Sequence, residues 1–227
     1  MEDEISDVQP SEVQFIETLK EGHNSAIFKV ELRGIICVMK VYHGRRLSNA
    51  CNPLLEYNLF VRESSAYRQL KANGLCERGV IPDFYGSVTK IDPRLWPDLY
   101  MFHNDELPAD AIFIEYVPNM HEIDLSNFSR ERMAKLREIL LEFHKIGVAH
   151  GDTYPRNMMI APGSPGKEDR VLWVDFDSAQ TLQPENLSEI DRDWIHEETE
   201  MMDYFSEGLA KDFKGGQLNI VRSCYYS

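Results

Sequence analysis

The chain predicts an α+β fold in which an antiparallel sheet comes first and a mainly helical part follows. Three observations carry this. From Val13, the stretch VQFIETLKEGHNSAIFKVELRGIICVMKVYHG is rich in β-branched and aromatic residues, with turn signals at Gly22 to Ser25 and at Arg33-Gly34. Two later segments, opening at Pro53 and after Ser129, repeat their apolar residues at helical spacing instead. Beyond the second of these lies HGDTYPRN, His150 to Asn157, followed by the apolar run VLWVDFD that ends at Asp177.

Composition bounds the functions available. A chain of 227 residues, 43% hydrophobic and 11% aromatic, is long enough for one large domain or two small lobes with a buried core. The net charge of −14, from 38 acids and 24 bases, disfavours nucleic acid and anionic lipid as partners. Cys37, Cys51, Cys76 and Cys224 are scattered without a C-x-x-C spacing, which predicts reduced thiols rather than a disulfide frame or a zinc site. The opening MEDEISD is acidic and polar, unlike a secretory or mitochondrial signal. Uncharged apolar runs stay under ten residues, too short to span a bilayer. The expectation is a soluble protein of the cytoplasm or nucleus with no membrane partner.

In chain order, residues 1–12 read as a solvated acidic lead-in, and three successive antiparallel strands follow. The first connection, LKEGHNSAIF, fits the template L-G-x-G-x-x-G-x-V only in part. Gly22 and Ile27 match it, while Lys20 and Ser25 stand where glycines would be. Such a loop can present backbone N–H groups to a phosphate, or it can be an ordinary hairpin turn. In IICVMKVY a single Lys40 interrupts an apolar run. It is either an edge residue facing water or a lysine that meets an anion, because burial without a partner is costly.

Residues 43–52 form a polar connection, and Pro53 then opens a helix through LLEYNLFVRESSAYRQLKANG. Leu54, Leu55, Leu59, Phe60, Ala66, Tyr67 and Leu70 make its stripe, which stops before Gly74. Glu63 lies close to that stripe and is a candidate partner for Lys40; Glu56, two turns earlier on nearly the same face, competes with it. Residues 79–91 predict a strand, and DPRLWPDLYMFHNDELPAD a long irregular excursion. The strand AIFIEYVPNM breaks at Glu115-Tyr116-Val117-Pro118. That break suits either a connection whose backbone groups read a flat heterocycle or a simple proline stop. Ser129 caps a helix with Met133, Leu136, Leu140 and Phe143 on one side, and Gly147 ends it.

The helix leads directly into His150, and MMIAPGSPGKEDR then reads as strand, turn and returning strand. The root of that hairpin gathers Asp152, Asn157 and Asp175. Two carboxylates and a carboxamide are what a metal–nucleotide site requires: one acid to accept a hydroxyl proton, one acid and the amide to hold Mg²⁺. After a loop over residues 178–187, SEIDRDWIHEETEMMDYFSEGLAKDF reads as one amphipathic helix carrying Trp194, Ile195, Met201, Met202, Tyr204, Phe205 and Leu209.

Taken in order, the partial glycine loop at Gly22, Lys40 in CVMK, Glu63, Glu115-Tyr116-Val117, H-x-D-x-x-P-x-N and D-F-D resemble the protein-kinase superfamily over about residues 13–180. The resemblance implies a bilobal protein-kinase-like fold, with an antiparallel-sheet N-lobe over residues 13–117 and a reduced helical C-lobe over residues 118–227. It implies ATP-dependent phosphoryl transfer to a hydroxyl, on a protein Ser/Thr or a small molecule, with ATP and Mg²⁺ as cofactors. Lys40 would hold the α- and β-phosphates and Glu63 would orient it. Gly22, Ile27 and Val38 would cover the nucleotide, and Glu115 and Val117 would offer backbone groups to adenine. Asp152 would align and deprotonate the acceptor, with Asn157 and Asp175 on the metal. His150 and Phe176 are packing residues in this reading.

The departures are specific. Gly151 replaces the usual Arg, Tyr154 stands where a phosphate-contacting Lys is common, with Arg156 a substitute, and Asp177 replaces the third-position Gly. Only the 52 residues from Phe176 to Ser227 follow Asp175, without an Ala-Pro-Glu segment. These features are similar to the RIO-type and the aminoglycoside/choline phosphotransferase branches, and to small kinase-like proteins of filamentous fungi. The alternative is a nucleotide-binding pseudokinase that acts as a regulatory interaction module.

Overall fold

Alternating side chains build the first half of the chain into a sheet. β1 (Val13–Glu21), β2 (Ser25–Leu32) and β3 (Ile35–Tyr42) pair antiparallel in succession. α1 (Leu59–Ala72) follows, and β4 (Phe84–Ile91) and β5 (Ala109–Glu115) complete the order β1-β2-β3-β5-β4. The computed structural model describes residues 4–46, 56–163, 166 and 168–226. β3 is therefore central, which removes the edge-strand reading of Lys40. Its register sets Lys40 opposite Ile27 of β2 and Ile112 of β5, and Val38 opposite Lys29 and Ile114. Opposed residues share a face, so Ile27, Val38, Lys40 and Ile112 project from one side.

The other side carries Phe28, Val30, Met39, Val41, Ala111 and Phe113 into the main apolar core of this unit. What covers it is the segment expected to be an irregular excursion. Asp92 caps the amide of Arg94 at 3.1 Å, and two 3-10 turns, Pro93–Leu95 and Pro97–Phe102, press Trp96, Leu99 and Phe102 onto the sheet. Phe15 meets Phe28 and Trp96 edge-on at 5.2 and 6.4 Å. Burying side chains of this size contributes about 1.5–3 kcal/mol each.

The lead-in also differs from expectation. The Ile5 N–H donates to the Tyr85 carbonyl (2.7 Å) and its carbonyl accepts from Ser87 (3.2 Å), a parallel bridge to Gly86, and Val8 enters the core. The lead-in is therefore bound to the sheet edge at Ile5 and Val8, not solvated throughout; residues 1–3 lie outside the described residues. Gly86 is required there: a Cβ at its φ of +150° would sit 2.2 Å from the Ile5 carbonyl oxygen.

α1 starts later than the apolar spacing predicts. Pro53, Leu54, Leu55 and Cys51 lie outside the described residues, and residues 56–58 are not helical. The Glu56 carboxylate accepts the amides of Tyr57 and Asn58 at 2.8 and 2.7 Å, and the Asn58 side chain accepts from Val61 at 3.2 Å. A short polar side chain at the start satisfies amides that a longer helix would have bonded internally, and so it wins the boundary.

The chain divides into two compact units, Met1–Ser64 with Asp83–Tyr116, and Ser65–Pro82 with Val117–Ser227. Residues 65–82, expected with the sheet, group with the second unit for visible reasons. Tyr67 packs edge-on against Phe176 (5.2 Å), the Gln69 amide donates to the Ile146 carbonyl, and the Trp173 N–H donates to Val80 (3.1 Å).

The second unit contains β6 (His121–Glu122), α2 (Arg130–Lys145), β7 (Val148–Ala149), β8 (Met158–Ala161), β9 (Arg170–Trp173), β10 (Gln180–Thr181) and α3 (Glu189–Gly215). Ser129 caps α2 by accepting from Arg132 at 3.1 Å, and Met133, Leu136, Ile139, Leu140 and Phe143 are buried. β8 and β9 form the expected hairpin, Met158 opposite Trp173 and Ala161 opposite Arg170, with β6 on its outer side. β7 pairs with β10. Ser188 and Asp191 make a capping box at the start of α3, and Gly216 ends it in the left-handed conformation. Cys37 and Cys76 are buried and Cys224 is exposed. Among the described residues no helix is long and apolar enough to cross a membrane.

Candidate functional site

Lys40 is only 3% exposed, and its Nζ lies 2.6 Å from Glu63 Oε2. The Tyr42 hydroxyl donates to the same oxygen at 2.5 Å. Glu63, on the first turns of α1, is thereby the partner and not Glu56, which is exposed ahead of the helix. An ammonium and a carboxylate taken out of water need each other, and the phenol satisfies a further lone pair. Tyr42 is a member of this group that sequence reasoning missed. Its signal was available: two residues beyond Lys40 on a strand, it must share the lysine's face.

Two other candidates of this unit have committed amides. Gly22 N–H donates to the Ser25 carbonyl at 2.9 Å, closing the β1–β2 hairpin at Glu21–Ala26. The turn is a closed hairpin, and the Gly22 amide itself is not turned outward. Glu115 N–H donates to Asp83 O at 2.8 Å, and its carboxylate accepts from Asp83 N–H at 3.2 Å. Val117 belongs to the second unit, where it packs with Ala161 and Leu172, flanked by Met120, Met159 and Val174.

In the second unit, the loop from His150 to Asn157 is braced from three directions. His150 is fully buried between Trp173 and Phe176, with ring centroids at 5.0 and 4.7 Å. Its Nδ1 faces the Asp152 N–H at 3.3 Å, and its Nε2 faces the Val174 carbonyl at 3.1 Å. An amide can only donate and a carbonyl can only accept, so the proton sits on Nε2 and the ring is neutral. Burial holds the imidazole pKa below its ordinary value of 6.5, against the pull of Glu198, Asp152 and Asp175. This is a bracing histidine.

Glu198, from α3, was not foreseen. Its buried carboxylate accepts the backbone N–H of His150 (3.1 Å) and of Gly151, and pairs with His144 Nε2 at 2.7 Å. Nothing in the local pattern marked it, because its partners, two backbone amides and the His144 ring, all lie far off in the chain. Gly151 is required by close approach. At φ +79° a Cβ would lie 2.1 Å from the Ser178 carbonyl oxygen, so the Arg that the resemblance leads one to expect could not stand there.

The chemistry-bearing end of the loop is tightly ordered. Arg156 Nη2 spans both Asp152 oxygens at 2.8 and 2.9 Å. Asn157 Nδ2 donates to the Asp152 carbonyl and to Oδ2, each at 2.9 Å. Its nitrogen thus faces Asp152, and Oδ1 is the atom Asn157 could offer a cation. The Val174 N–H donates to the Asn157 carbonyl at 3.1 Å and ties the loop to the strand that delivers Asp175. Asp175 adopts φ +65°, which an L-residue holds only at a cost of about 1–2 kcal/mol. Asp175 and Asp177 present carboxylate oxygens within 4.8 Å of each other.

The structure thus gathers Asp152, Asn157 and Asp175 within one unit, and Ile27, Val38, Lys40 and Glu63 within the other. No protein-family model matches the chain, and no curated protein matches it.

Proposed function

We propose that this chain is a compact kinase-like phosphotransferase that moves the γ-phosphate of ATP to a hydroxyl acceptor. The observation that carries the proposal is the buried pair of Lys40, on the central strand, with Glu63 of α1, completed by Tyr42 and flanked by Ile27 and Val38. An ammonium placed in an apolar surround and aimed by a carboxylate is suited to hold phosphate oxygens. Asp152 aligns and deprotonates the acceptor hydroxyl, and Asn157 and Asp175 are the Mg²⁺ ligands. Bound Mg²⁺-ATP supplies the transferable phosphoryl group and neutralises its developing charge. The protein's own part is positioning: Lys40 fixes the α- and β-phosphates, Glu115 and Val117 border the adenine, and the Asp152 loop is held rigid by His150 and Glu198. The phosphates are covered by the side chains beside the Gly22 turn, since the Gly22 amide is committed to Ser25.

One observation favours a second reading, a nucleotide-binding pseudokinase. Both oxygens of Asp152 are engaged by Arg156, which weakens the carboxylate as a base until the guanidinium moves. A thermal-shift titration with Mg²⁺-ATP separates the outcomes. Wild type should gain about 2.7 kcal/mol at 100 Kd, Lys40→Met and Asp175→Asn should lose most of that gain, and Asp152→Asn should keep it while abolishing turnover. No shift in wild type would reject both readings. A shift without turnover on water or a broad panel of hydroxyl acceptors would select the pseudokinase.

A further inference from the structure

We propose that Tyr225 is a positioning residue, which holds Tyr154 so that Arg156 stays clamped across the carboxylate of Asp152. The assignment of a catalytic consequence rests on the phosphotransfer reading above; the mechanical part does not.

The segment bearing Tyr225 is anchored. Asp212 of α3, itself buried, accepts the N–H of Ile220 at 2.9 Å and of Val221 at 2.7 Å. Val221 is fully buried over Gly208, where a Cβ would approach its Cγ2 to 2.8 Å. A short turn, Ser223–Tyr225, closed by the Tyr225 N–H on the Arg222 carbonyl at 3.0 Å, then delivers the ring. Tyr225 stacks on Tyr154 with centroids 5.7 Å apart and planes 23° apart. Both rings rest on Phe205 of α3, at 5.1 and 5.5 Å.

Tyr154 in turn supports the guanidinium. The Arg156 Cζ lies 4.6 Å from the Tyr154 ring centroid while Nη2 spans the two Asp152 oxygens. A guanidinium on a long, rotamer-rich stem stays in one place only if its alternatives are removed. The ring beneath it does this, and that ring is itself held by a stack on one side and Phe205 on the other. The links therefore run from Asp212 through the backbone of residues 220–225 to the Tyr225 ring, and on through Tyr154 and Arg156 to Asp152. Without the Tyr225 ring, Tyr154 is free to turn, Arg156 samples solvent, and Asp152 loses its fixed orientation.

The test follows the Arg156 Nε–H signal in a ¹⁵N-labelled full-length chain, identified by its loss in Arg156→Lys. Wild type and Tyr225→Phe should show slow exchange, and Tyr225→Ala exchange about tenfold faster, with melting temperature and backbone amide spectrum unchanged. Tyr225→Leu keeps apolar bulk without a ring and should behave like Ala. Equal Arg156 exchange in wild type and Tyr225→Ala overturns the proposal, and so does full recovery in Tyr225→Leu. In turnover, Tyr225→Ala should alter kcat and leave the KM for ATP unchanged, because the clamp both orients Asp152 and occupies its oxygens. If wild type binds no Mg²⁺-ATP, the phosphotransfer reading fails while the Arg156 signal still decides this one.

Discussion

Lys40, Glu63 and Tyr42 form a charge site that neither side of the pair could occupy alone. At 4% and 1% side-chain exposure, water cannot replace a missing partner. Urea unfolding of Lys40→Met and Glu63→Leu should therefore each show a loss of about 3–5 kcal/mol, and the double variant a loss smaller than the sum. Strict additivity would mean that the two groups do not sense one another. Lys40 was legible as a candidate because a lone lysine in an apolar strand has few fates. The choice between burial and exposure, and between Glu63 and Glu56, was not legible, since both carboxylates suit a helical stripe and only the start of α1 at Leu59 separates them. Asp175 is a similar case: its identity was readable in VDFD, but its left-handed backbone was not.

At the scale of elements, the loop, hairpin and α3 act as one assembly. Glu198 gathers the amides of His150 and Gly151 at the point where β7 ends, and its removal takes the acceptor from both, of which His150 is fully buried. A buried N–H left without an acceptor costs about 1–3 kcal/mol. Glu198→Ala should thus accelerate hydrogen exchange at the His150 and Gly151 amides by well over tenfold, while Glu198→Gln, which keeps one acceptor oxygen, retains part of the protection. Unchanged exchange in the Ala variant would show that the loop is held by other contacts. The loop was legible because its residues are contiguous and its chemistry is dense. Glu198 and the cover formed by Trp96, Leu99 and Phe102 were not, for opposite reasons. Glu198 acts on backbone groups, which carry no sequence signal, and the cover uses two proline-opened turns without a helical or strand period.

Over the whole molecule, burial of His150 makes stability depend on pH in a defined direction. The folded-state pKa lies below the ordinary 6.5, so below that pH the unfolded chain binds the proton more readily than the folded one. The contribution is fully present above pH 6.5 and is lost as the pH falls toward the folded value, by up to about 1.4 kcal/mol per unit. Urea midpoints measured from pH 8 to pH 5 should fall over the acid part of that range, and His150→Phe, which fills the space between Trp173 and Phe176, should flatten the curve. A wild-type curve as flat as the variant's would reject the assignment. The carboxyl of Glu142, held low by Arg78, acts in the same sense below its ordinary 4.5.

The division into two units shows the same limit of local reading. By sequence, residues 65–82 take in the end of the predicted helix and the start of the next predicted strand, both grouped with the sheet; by contact, they belong with Ile146, Trp173 and Phe176. By itself, the sequence determined what is periodic or contiguous: an α+β chain, its antiparallel strands, the α2 stripe, the β8–β9 hairpin, and the grouping of Asp152, Asn157 and Asp175. Only the tertiary structure decided which glutamate meets Lys40, why Gly151 cannot be larger, what holds the loop from behind, and that Tyr225 reaches Tyr154. The physical reason is common to all four. Each depends on the distance between groups far apart in the chain, and a local pattern of side chains carries no information about such distances.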